Sequence, residues 1–211
     1  MNTISSAVIL VGGNSRRMGC DKNLITFNGK RMIDIIIDSL YQLFDDIVIV
    51  TNDPERYKFY DPCGKIKITQ DKFSHLKKSS LRGIYAGLEE INYQYGFVFA
   101  GDMPFISYEL VKAMLYQLHD NRKKTWDVVI PVIGEHFEPL FALYHKNCLQ
   151  VMKHNLLSEQ YKIIDALDYY RVLKVSEQFC EFYDPTLMSF FNVNTPEQLQ
   201  KAQKYYRQLH S

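Results

Sequence analysis

The chain has 211 residues, of which 46% are hydrophobic and 23% charged, and its formal net charge is +1. These values are typical of a globular domain and exclude a disordered chain and a broadly basic nucleic-acid-binding protein. No apolar run approaches the roughly 18 residues of a membrane span, and the first residues lack a signal-peptide pattern, so we expect a cytoplasmic protein with no membrane partner.

The first third of the chain alternates apolar runs with a helical pattern. Residues 7–11 form an apolar run that ends in two glycines, which is typical of a buried strand that meets a loop. Apolar residues between 31 and 44 recur at intervals of three and four, which predicts a helix, and 47–50 is a second buried run. Strand, long loop, helix and strand indicate the start of an α/β domain with a mostly parallel sheet.

The same alternation continues to residue 144. Helices are predicted over 81–91 and from the cap residue Ser107 to about His119. Four further runs predict strands at 65–69, 97–100, 128–132 and 140–144.

Beyond residue 145 the pattern predicts helices that are rich in aromatic residues. The last helix has clear start signals, because Thr195 can be its N-cap, Pro196 its first residue and Gln198 the partner that completes a capping box. The sequence shows no linker that would split the chain, so we expect a single domain.

Positive charge is concentrated at the start of the chain. Residues 1–31 carry a net charge of +4, which leaves −3 for the remainder. A basic, glycine-containing stretch of this size suits a small anionic ligand better than a long polyanion, so no nucleic-acid partner is expected.

The densest group of polar residues follows the first strand, at 10–22, with the sequence Leu-Val-Gly-Gly-Asn-Ser-Arg-Arg-Met-Gly-Cys-Asp-Lys. Free N–H groups of adjacent glycines can surround phosphate oxygens, and Arg17 and Lys22 would add fixed positive charge. The spacing matches neither the P-loop nor the G-x-G-x-x-G dinucleotide motif. The alternative is an ordinary glycine turn with solvated arginines, and Arg16 is expected to be solvated in either case.

Asp102 ends the 97–100 strand, and α/β sheets bind ligands at the carboxyl ends of their strands. A carboxylate there is a natural ligand for the Mg²⁺ of a triphosphate. The alternative is a turn residue that precedes Pro104.

Other metal and redox chemistry has little support in the sequence. The four cysteines form no C-x-x-C pair, and we expect reduced thiols. His136 and Glu138 have the H-x-E spacing of zinc deaminases, but no P-C-x-x-C follows them.

Read together, the segments resemble the molybdenum cofactor guanylyltransferases, a family of nucleotidyltransferases. Residues 10–22 resemble the opening signature Leu-x-Gly-Gly-x-Ser-x-Arg-Met-Gly-x-Asp-Lys. Four later blocks resemble family blocks in the same order: Asn-Gly-Lys at 28–30, Gly-Asp-Met-Pro at 101–104, Glu-Pro-Leu-Phe-Ala-Leu-Tyr at 138–144 and Asn-Val-Asn-Thr-Pro at 192–196.

The resemblance implies a Rossmann-like domain over 1–211, of the nucleotide-diphospho-sugar transferase type. It implies transfer of GMP from GTP to molybdopterin with release of pyrophosphate, and Mg²⁺ as cofactor. The N-terminal part would bind the nucleotide and the C-terminal part the acceptor. Molybdoenzymes or other cofactor-biosynthesis proteins are the protein partners that the family implies.

The resemblance also implies roles for individual residues. Arg17, Lys22 and Asp102 would be catalytic, with Asp102 as the metal ligand, and Asn192 and Asn194 would bind the acceptor. The nucleotide would be bound by Leu10, Val11, Gly12, Gly13, Lys22, Asn52, Asp71 and Asp102, and the base in particular by the backbone of Leu10, Val11 and Gly12 and by Asn52 and Asp71.

Three of these assignments keep a structural alternative. Thr51 competes with Asn52 for the position after the second strand, where side-chain type favours the asparagine. Asn52 and Asp71 also suit turns or caps, and Asn194 suits a helix cap.

The chain departs from the family before the helix at 81. Ser79 and Ser80 stand where the family usually has Gly-Pro, although Gly83 is retained. Lys77 and Lys78 beside them could contact phosphate or be solvated.

Two other functions remain open at this point. One is a different small nucleotidyltransferase, which would use CTP with the same pterin or a sugar or polyol phosphate as acceptor. The other is a nucleotide- or cofactor-binding protein that has lost catalysis.

Overall fold

A mixed central sheet organises the fold, which is seen in a computed structural model that describes residues 5–12, 25–55, 57, 64–73, 75–120 and 125–209. The strands are β1 (Ser5–Val11), β2 (Thr26–Phe27), β3 (Lys30–Arg31), β4 (Ile47–Thr51), β5 (Ile66–Thr69), β6 (Tyr95–Ala100), β7 (Val128–Ile133), β8 (His136–Phe137), β9 (Phe141–His145) and β10 (Val172–Val175). The helices are α1 (Met32–Tyr41), α2 (Ser80–Glu90), α3 (Tyr108–Asp120), α4 (Cys148–Leu157), α5 (Glu177–Tyr183) and α6 (Pro196–Leu209), with 3₁₀ helices at Ile164–Tyr169 and Met188–Phe190.

The strand order of the main sheet is β10-β7-β9-β6-β1-β4-β5, and β8 pairs with β7. Along this path only β9 runs antiparallel to its neighbours, β6 and β7. The predicted α/β class with a mostly parallel sheet is therefore confirmed.

The two faces of the sheet bury different helices. Ala7, Ile9, Ile49, Phe97 and Phe99 belong to a cluster that includes residues of α1 and α3. The alternate strand positions, with Val8 and Val98 among them, pack with residues of α2 and α4. Burial on both faces explains why the central strands read as continuous apolar runs rather than as alternating patterns.

A third, smaller cluster lies at one side of the sheet. Phe27 of the β2–β3 hairpin packs with Phe105, with the fully buried Val193 and with Tyr206 of α6. The C-terminal helix is thereby fixed beside the segment that follows β6.

The capping signals in the sequence are confirmed. Thr195 Oγ1 accepts a hydrogen bond from the backbone N–H of Gln198 at 3.2 Å, and Gln198 Oε1 accepts one from the N–H of Thr195 at 3.0 Å. At the start of α3, Ser107 Oγ accepts from the N–H of Leu110 at 3.2 Å.

The expectation of helices alone beyond residue 145 is wrong at β10. This strand pairs in parallel with β7 at the edge of the sheet, and only Val175 of its four residues is buried. A four-residue strand is too short for its apolar pattern to stand out in the sequence. It forms because it pairs with β7, a strand that is distant in the chain.

Two smaller observations bear on the remaining sequence expectations. Within the described ranges, no helix combines the length and hydropathy needed to cross a bilayer. Cys148 and Cys180 are free and buried, and burial raises the pKa of each thiol to about 12. Cys20 and Cys63 lie outside the described residues.

Helix α2 lies unusually close to β1 and β4 because two of its residues lack side chains. A Cβ atom on Gly87 would lie 2.3 Å from Val8 Cγ1 and 3.2 Å from Val50 Cγ2. A Cβ on Gly83, one turn earlier, would lie 3.2 Å from Leu10 Cδ2. This close approach brings the N-terminus of α2 to the carboxyl ends of the strands.

We expect Gly87→Ala to lower the free energy of unfolding by about 1–2 kcal/mol in urea denaturation, because overpacking against Val8 outweighs the gain in helix propensity. Gly83→Ala is the matched control. Its contact is the end of a leucine side chain that can rotate, so we expect a change of less than about 1 kcal/mol. Equal effects at the two positions would contradict the close-packing argument.

Candidate active site

The polar residues gather at one end of the sheet, where β1 lies between β4 and β6. All three strands are parallel, so their carboxyl ends meet there. The chain passes from β1 to β4 and β5 on one side and then returns to the other side of β1 for β6. The point where the strand order reverses is the usual ligand crevice of an open α/β sheet.

Gly12 and Asp102 flank this crevice. Gly12 directly follows β1, and Asp102 follows β6 by two residues. The backbone N–H of Gly101 donates to the carbonyl oxygen of Leu10 at 2.9 Å, which ties the two strand ends together. Gly13, Arg17 and Lys22 lie outside the described residues, and their roles stay predictions.

A pocket of about 290 Å³ opens beside the crevice, between the ends of β1, β4 and β5 and the start of α2. Its wall brings together all five described residues that were predicted to bind the base: Leu10, Val11, Gly12, Asn52 and Asp71. It also includes Val50, Thr51, Lys78, Ser79, Ser80 and Gly83.

The backbone angle of Gly12 accounts for a glycine at the mouth of this pocket. Its φ is +146°, which L-amino acids with a side chain rarely adopt. A Cβ atom at this position would meet no atom within 4 Å, so the backbone conformation rather than lack of space requires the glycine.

Asn52 and Thr51 differ in their availability to a ligand. Thr51 is buried, and its hydroxyl accepts a hydrogen bond from the N–H of Asp53 at 3.2 Å. Asn52 is exposed and lines the pocket. Both residues line the pocket, but the Asn52 side chain is the more exposed of the two, and its nucleotide-binding role stays a prediction.

Asp71 forms a buried ion pair that the sequence did not reveal. Arg82 Nε donates to Asp71 Oδ1 at 2.9 Å, and the two side chains are only 5% and 9% exposed. Burial raises the pKa of the Asp71 carboxyl above its ordinary value, and the nearby Arg82 guanidinium opposes that rise. The sequence shows a charged residue, Arg82, two positions after the departure at 79–80, but nothing local identifies its partner.

The predicted acceptor residues lie next to Asp102. The N–H of Val193 donates to the backbone carbonyl of Asp102 at 2.9 Å, and Asn192 and Asn194 flank Val193. Asn192 Nδ2 donates to the carbonyl of Phe190 at 3.3 Å. Thr195 Oγ1 caps α6, and the acceptor-binding role of Asn194 stays a prediction.

The block at 138–144 begins at the same end of the sheet because β9 runs antiparallel to β6. The N–H of Ala100 donates to the carbonyl of Leu140 at 3.1 Å. Glu138 is half-buried there, and burial raises the pKa of its carboxyl, with His136 opposing the rise. This places a second carboxylate just before β9, the strand that neighbours β6.

Residues 7–172 match the model of the MobA-like NTP transferase domain. The chain belongs to this family of nucleotidyltransferases. The resemblance that the sequence motifs indicated is therefore confirmed.

Full-length relatives agree with the family match. A probable molybdenum cofactor guanylyltransferase of Natranaerobius thermophilus is 54% identical over 200 residues, which cover 95% of each chain. A molybdenum cofactor guanylyltransferase of Desulfosudis oleivorans is 35% identical over 94% of each chain. The crystal structure of molybdopterin-guanine dinucleotide biosynthesis protein A from Archaeoglobus fulgidus superposes with a TM-score of 0.80 at 26% identity, covering 96% of this chain and 99% of that one.

Ser79 provides a test of the pocket wall. Its hydroxyl caps α2 by accepting from the N–H of Arg82 at 3.4 Å, as Ser176 caps α5 by accepting from the N–H of Phe179 at 3.3 Å. We expect Ser79→Ala and Ser176→Ala each to lower the free energy of unfolding by about 1 kcal/mol in urea denaturation. Only Ser79→Ala should also weaken nucleotide binding, by about two- to tenfold in calorimetry. Equal affinities in the two variants would remove Ser79 from the binding wall.

Proposed function

We propose that this protein is a molybdenum cofactor guanylyltransferase, which transfers GMP from GTP to molybdopterin and releases pyrophosphate. The observation that carries the proposal is the pocket that unites the five predicted base-binding residues beside the β1–β6 crevice. Support comes from the two relatives that bear this name over nearly their whole length.

The pocket suits guanine because guanine presents an N1–H and a 2-amino group, which need hydrogen-bond acceptors. The Asp71 carboxylate and the Asn52 side-chain amide supply acceptors on the β4–β5 side of β1. The backbone of residues 10–12 would contact the base from the end of β1. Adenine and cytosine each present an exocyclic amino group without a neighbouring ring N–H, so neither could offer the carboxylate two adjacent donors.

The triphosphate would extend from this pocket across the end of β1 toward Asp102. Neighbouring strands lie about 4.8 Å apart, so the three steps from β5 to β6 span about 14 Å. Along this line the N–H groups of Gly12 and Gly13 would face phosphate oxygens. We assign Lys22 and Arg17 to the triphosphate and to the charge that develops on pyrophosphate.

The donor set fits Mg²⁺ bound together with nucleotide. Within the described part of the chain no group of three or more His, Cys, Asp or Glu residues could hold a metal by itself. Mg²⁺ commonly uses one or two carboxylates and takes its other ligands from phosphates and water. Asp102 at the crevice would supply the carboxylate ligand that the protein has to provide. When bound there, Mg²⁺ would neutralise phosphate charge.

The reaction requires the protein to align two anions. A terminal phosphate oxygen of molybdopterin forms a bond to the α-phosphorus of GTP, while the bond from that phosphorus to the bridging oxygen of the β-phosphate breaks and pyrophosphate leaves. Asn192 and Asn194 would hold the acceptor, because the Val193–Asp102 hydrogen bond keeps them beside the crevice. Positioning and charge neutralisation account for catalysis of this type.

The direct test incubates purified protein with molybdopterin, Mg²⁺ and GTP, CTP or ATP, and follows pyrophosphate release. We expect release with GTP in preference to CTP and ATP, and loss of metal-dependent turnover in Asp102→Ala. Preference for CTP would favour a different nucleotidyltransferase. No release above background with any nucleotide would favour a binding protein without catalysis, and turnover in Asp102→Ala would mean that the metal ligand is misplaced.

Arg17→Ala and Lys22→Ala should each lower kcat by about 10²–10³, because each removes positive charge that stabilises the departing pyrophosphate. Arg16→Ala is the matched control, since its side chain is expected to be solvated. Steady-state rates at saturating GTP measure the effect, and a comparable loss in Arg16→Ala would show that general positive charge is sufficient.

Asn192→Ala should raise the KM for molybdopterin about two- to tenfold and leave the KM for GTP unchanged, since it removes one acceptor-side hydrogen bond. Varying each substrate in turn separates the two constants. A rise confined to GTP would place Asn192 on the nucleotide side instead.

A further inference from the structure

Arg82 occupies an unusual position for a cation. It stands in the first turn of α2, where unpaired N–H groups carry partial positive charge, and its side chain is 5% exposed. A buried guanidinium in such a place is unfavourable unless its donors are paired.

The structure pairs Arg82 with groups that surround the pocket. Its Nε donates to Asp71 Oδ1 at 2.9 Å and its Nη1 donates to the carbonyl oxygen of Leu76 at 2.5 Å. Its backbone N–H donates to Ser79 Oγ. These bonds fix Asp71, the loop after it and the start of α2 relative to one another, and Lys78 and Ser79 of that loop also line the pocket.

The ion pair leaves acceptor capacity on Asp71. A carboxylate has about four lone-pair sites, and Arg82 occupies one site on Oδ1. Oδ2 accepts no hydrogen bond from any described residue, and Asp71 lines the pocket. The pair therefore sets the direction in which the remaining sites point.

We infer that Arg82 is a positioning residue for base recognition, which orients the Asp71 carboxylate so that its remaining lone pairs face the donors of guanine. The inference rests on the proposed function. Without the guanidinium, the carboxyl would lose the hydrogen bond that fixes Oδ1, and less positive charge would oppose the rise in its pKa that burial causes, with Lys78 as the remaining cation. A carboxyl free to rotate would no longer hold its acceptors toward the N1–H and 2-amino donors of guanine.

This role also gives a physical account of the departure at 79–80. The serines stand in place of a Gly-Pro pair, and Ser79 caps α2 while Arg82 holds the loop through Leu76. The loop is thus fixed by side-chain hydrogen bonds, and the Arg82 side chain that makes one of them also binds the Asp71 carboxylate.

The test compares binding of GTP with binding of ITP, which lacks the 2-amino group, by calorimetry in the presence of Mg²⁺. Loss of a hydrogen bond to a charged acceptor should make the original protein prefer GTP over ITP by about 10- to 100-fold. We expect Arg82→Met to reduce this preference to less than about threefold, with kcat changed less than KM. Arg82→Lys, which keeps the charge but not the planar fork, should give an intermediate preference.

Arg171→Met is the control for an Arg–Asp pair away from the pocket, with an Arg171 side chain that is 57% exposed where that of Arg82 is 5% exposed. Arg171 Nε donates to Asp127 Oδ2 at the same 2.9 Å. This pair directly precedes β7 and β10 and so lies at the amino ends of the strands, away from the pocket. We expect its GTP preference to equal that of the original protein. An equal loss of affinity for GTP and ITP in Arg82→Met would indicate a purely structural role and overturn the inference.

A double variant keeps the test valid if Arg82→Met does not fold. Removing both partners of a buried ion pair avoids an unpaired buried charge, so Asp71→Asn with Arg82→Met should fold better than Arg82→Met alone. If Arg82 acts through Asp71, this double variant and Asp71→Asn should bind GTP within about threefold of each other. A larger additional loss would overturn the inference.

The outcomes separate this inference from the proposed function. If the original protein does not prefer GTP over CTP, ATP and ITP, the guanylyltransferase assignment fails and the role of Arg82 fails with it. If the original protein prefers GTP and Arg82→Met retains the full preference, only the role of Arg82 is overturned.

Discussion

Parallel pairing of β1 with β4 and β6 is the constraint on which the site depends. It places the end of the first strand between two other strand ends, and the reversal of strand order leaves a crevice that Gly12 and Asp102 flank. The hydrogen bond from Gly101 to Leu10 fixes the two ends relative to each other. Gly12, at the start of the predicted phosphate-binding loop, and Asp102, the predicted metal ligand, are distant in sequence but lie at one crevice, as the proposed function requires.

The pocket wall depends on a helix that approaches the sheet closely. Gly83 and Gly87 allow α2 to lie against β1 and β4, which brings its N-terminus to the strand ends. That N-terminus carries Arg82, and the buried pair with Asp71 connects helix packing to the part of the pocket that would read the base. Stability and specificity share these contacts, so substitutions in this region should be examined for both.

The acceptor side is assembled by a separate set of contacts. The cluster of Phe27, Phe105 and Tyr206 holds α6 against the β2–β3 hairpin, and buried Val193 links this cluster to Asp102 through a backbone hydrogen bond. The residues predicted to bind the base and those predicted to bind the acceptor therefore lie on opposite sides of β1. This arrangement suits a reaction in which two anionic substrates meet at one phosphorus atom.

The sequence by itself determined the elements whose signals are local. Continuous apolar runs predicted the central strands, the Thr195–Gln198 pair predicted the start of α6, and the ordered motifs predicted the family and the pocket residues. Tertiary structure alone decided the edge strand β10 and the partner of Arg82, which lies 11 residues away. Periodicity and capping act over a few residues, whereas strand pairing and burial of an ion pair depend on groups that only the folded chain brings together.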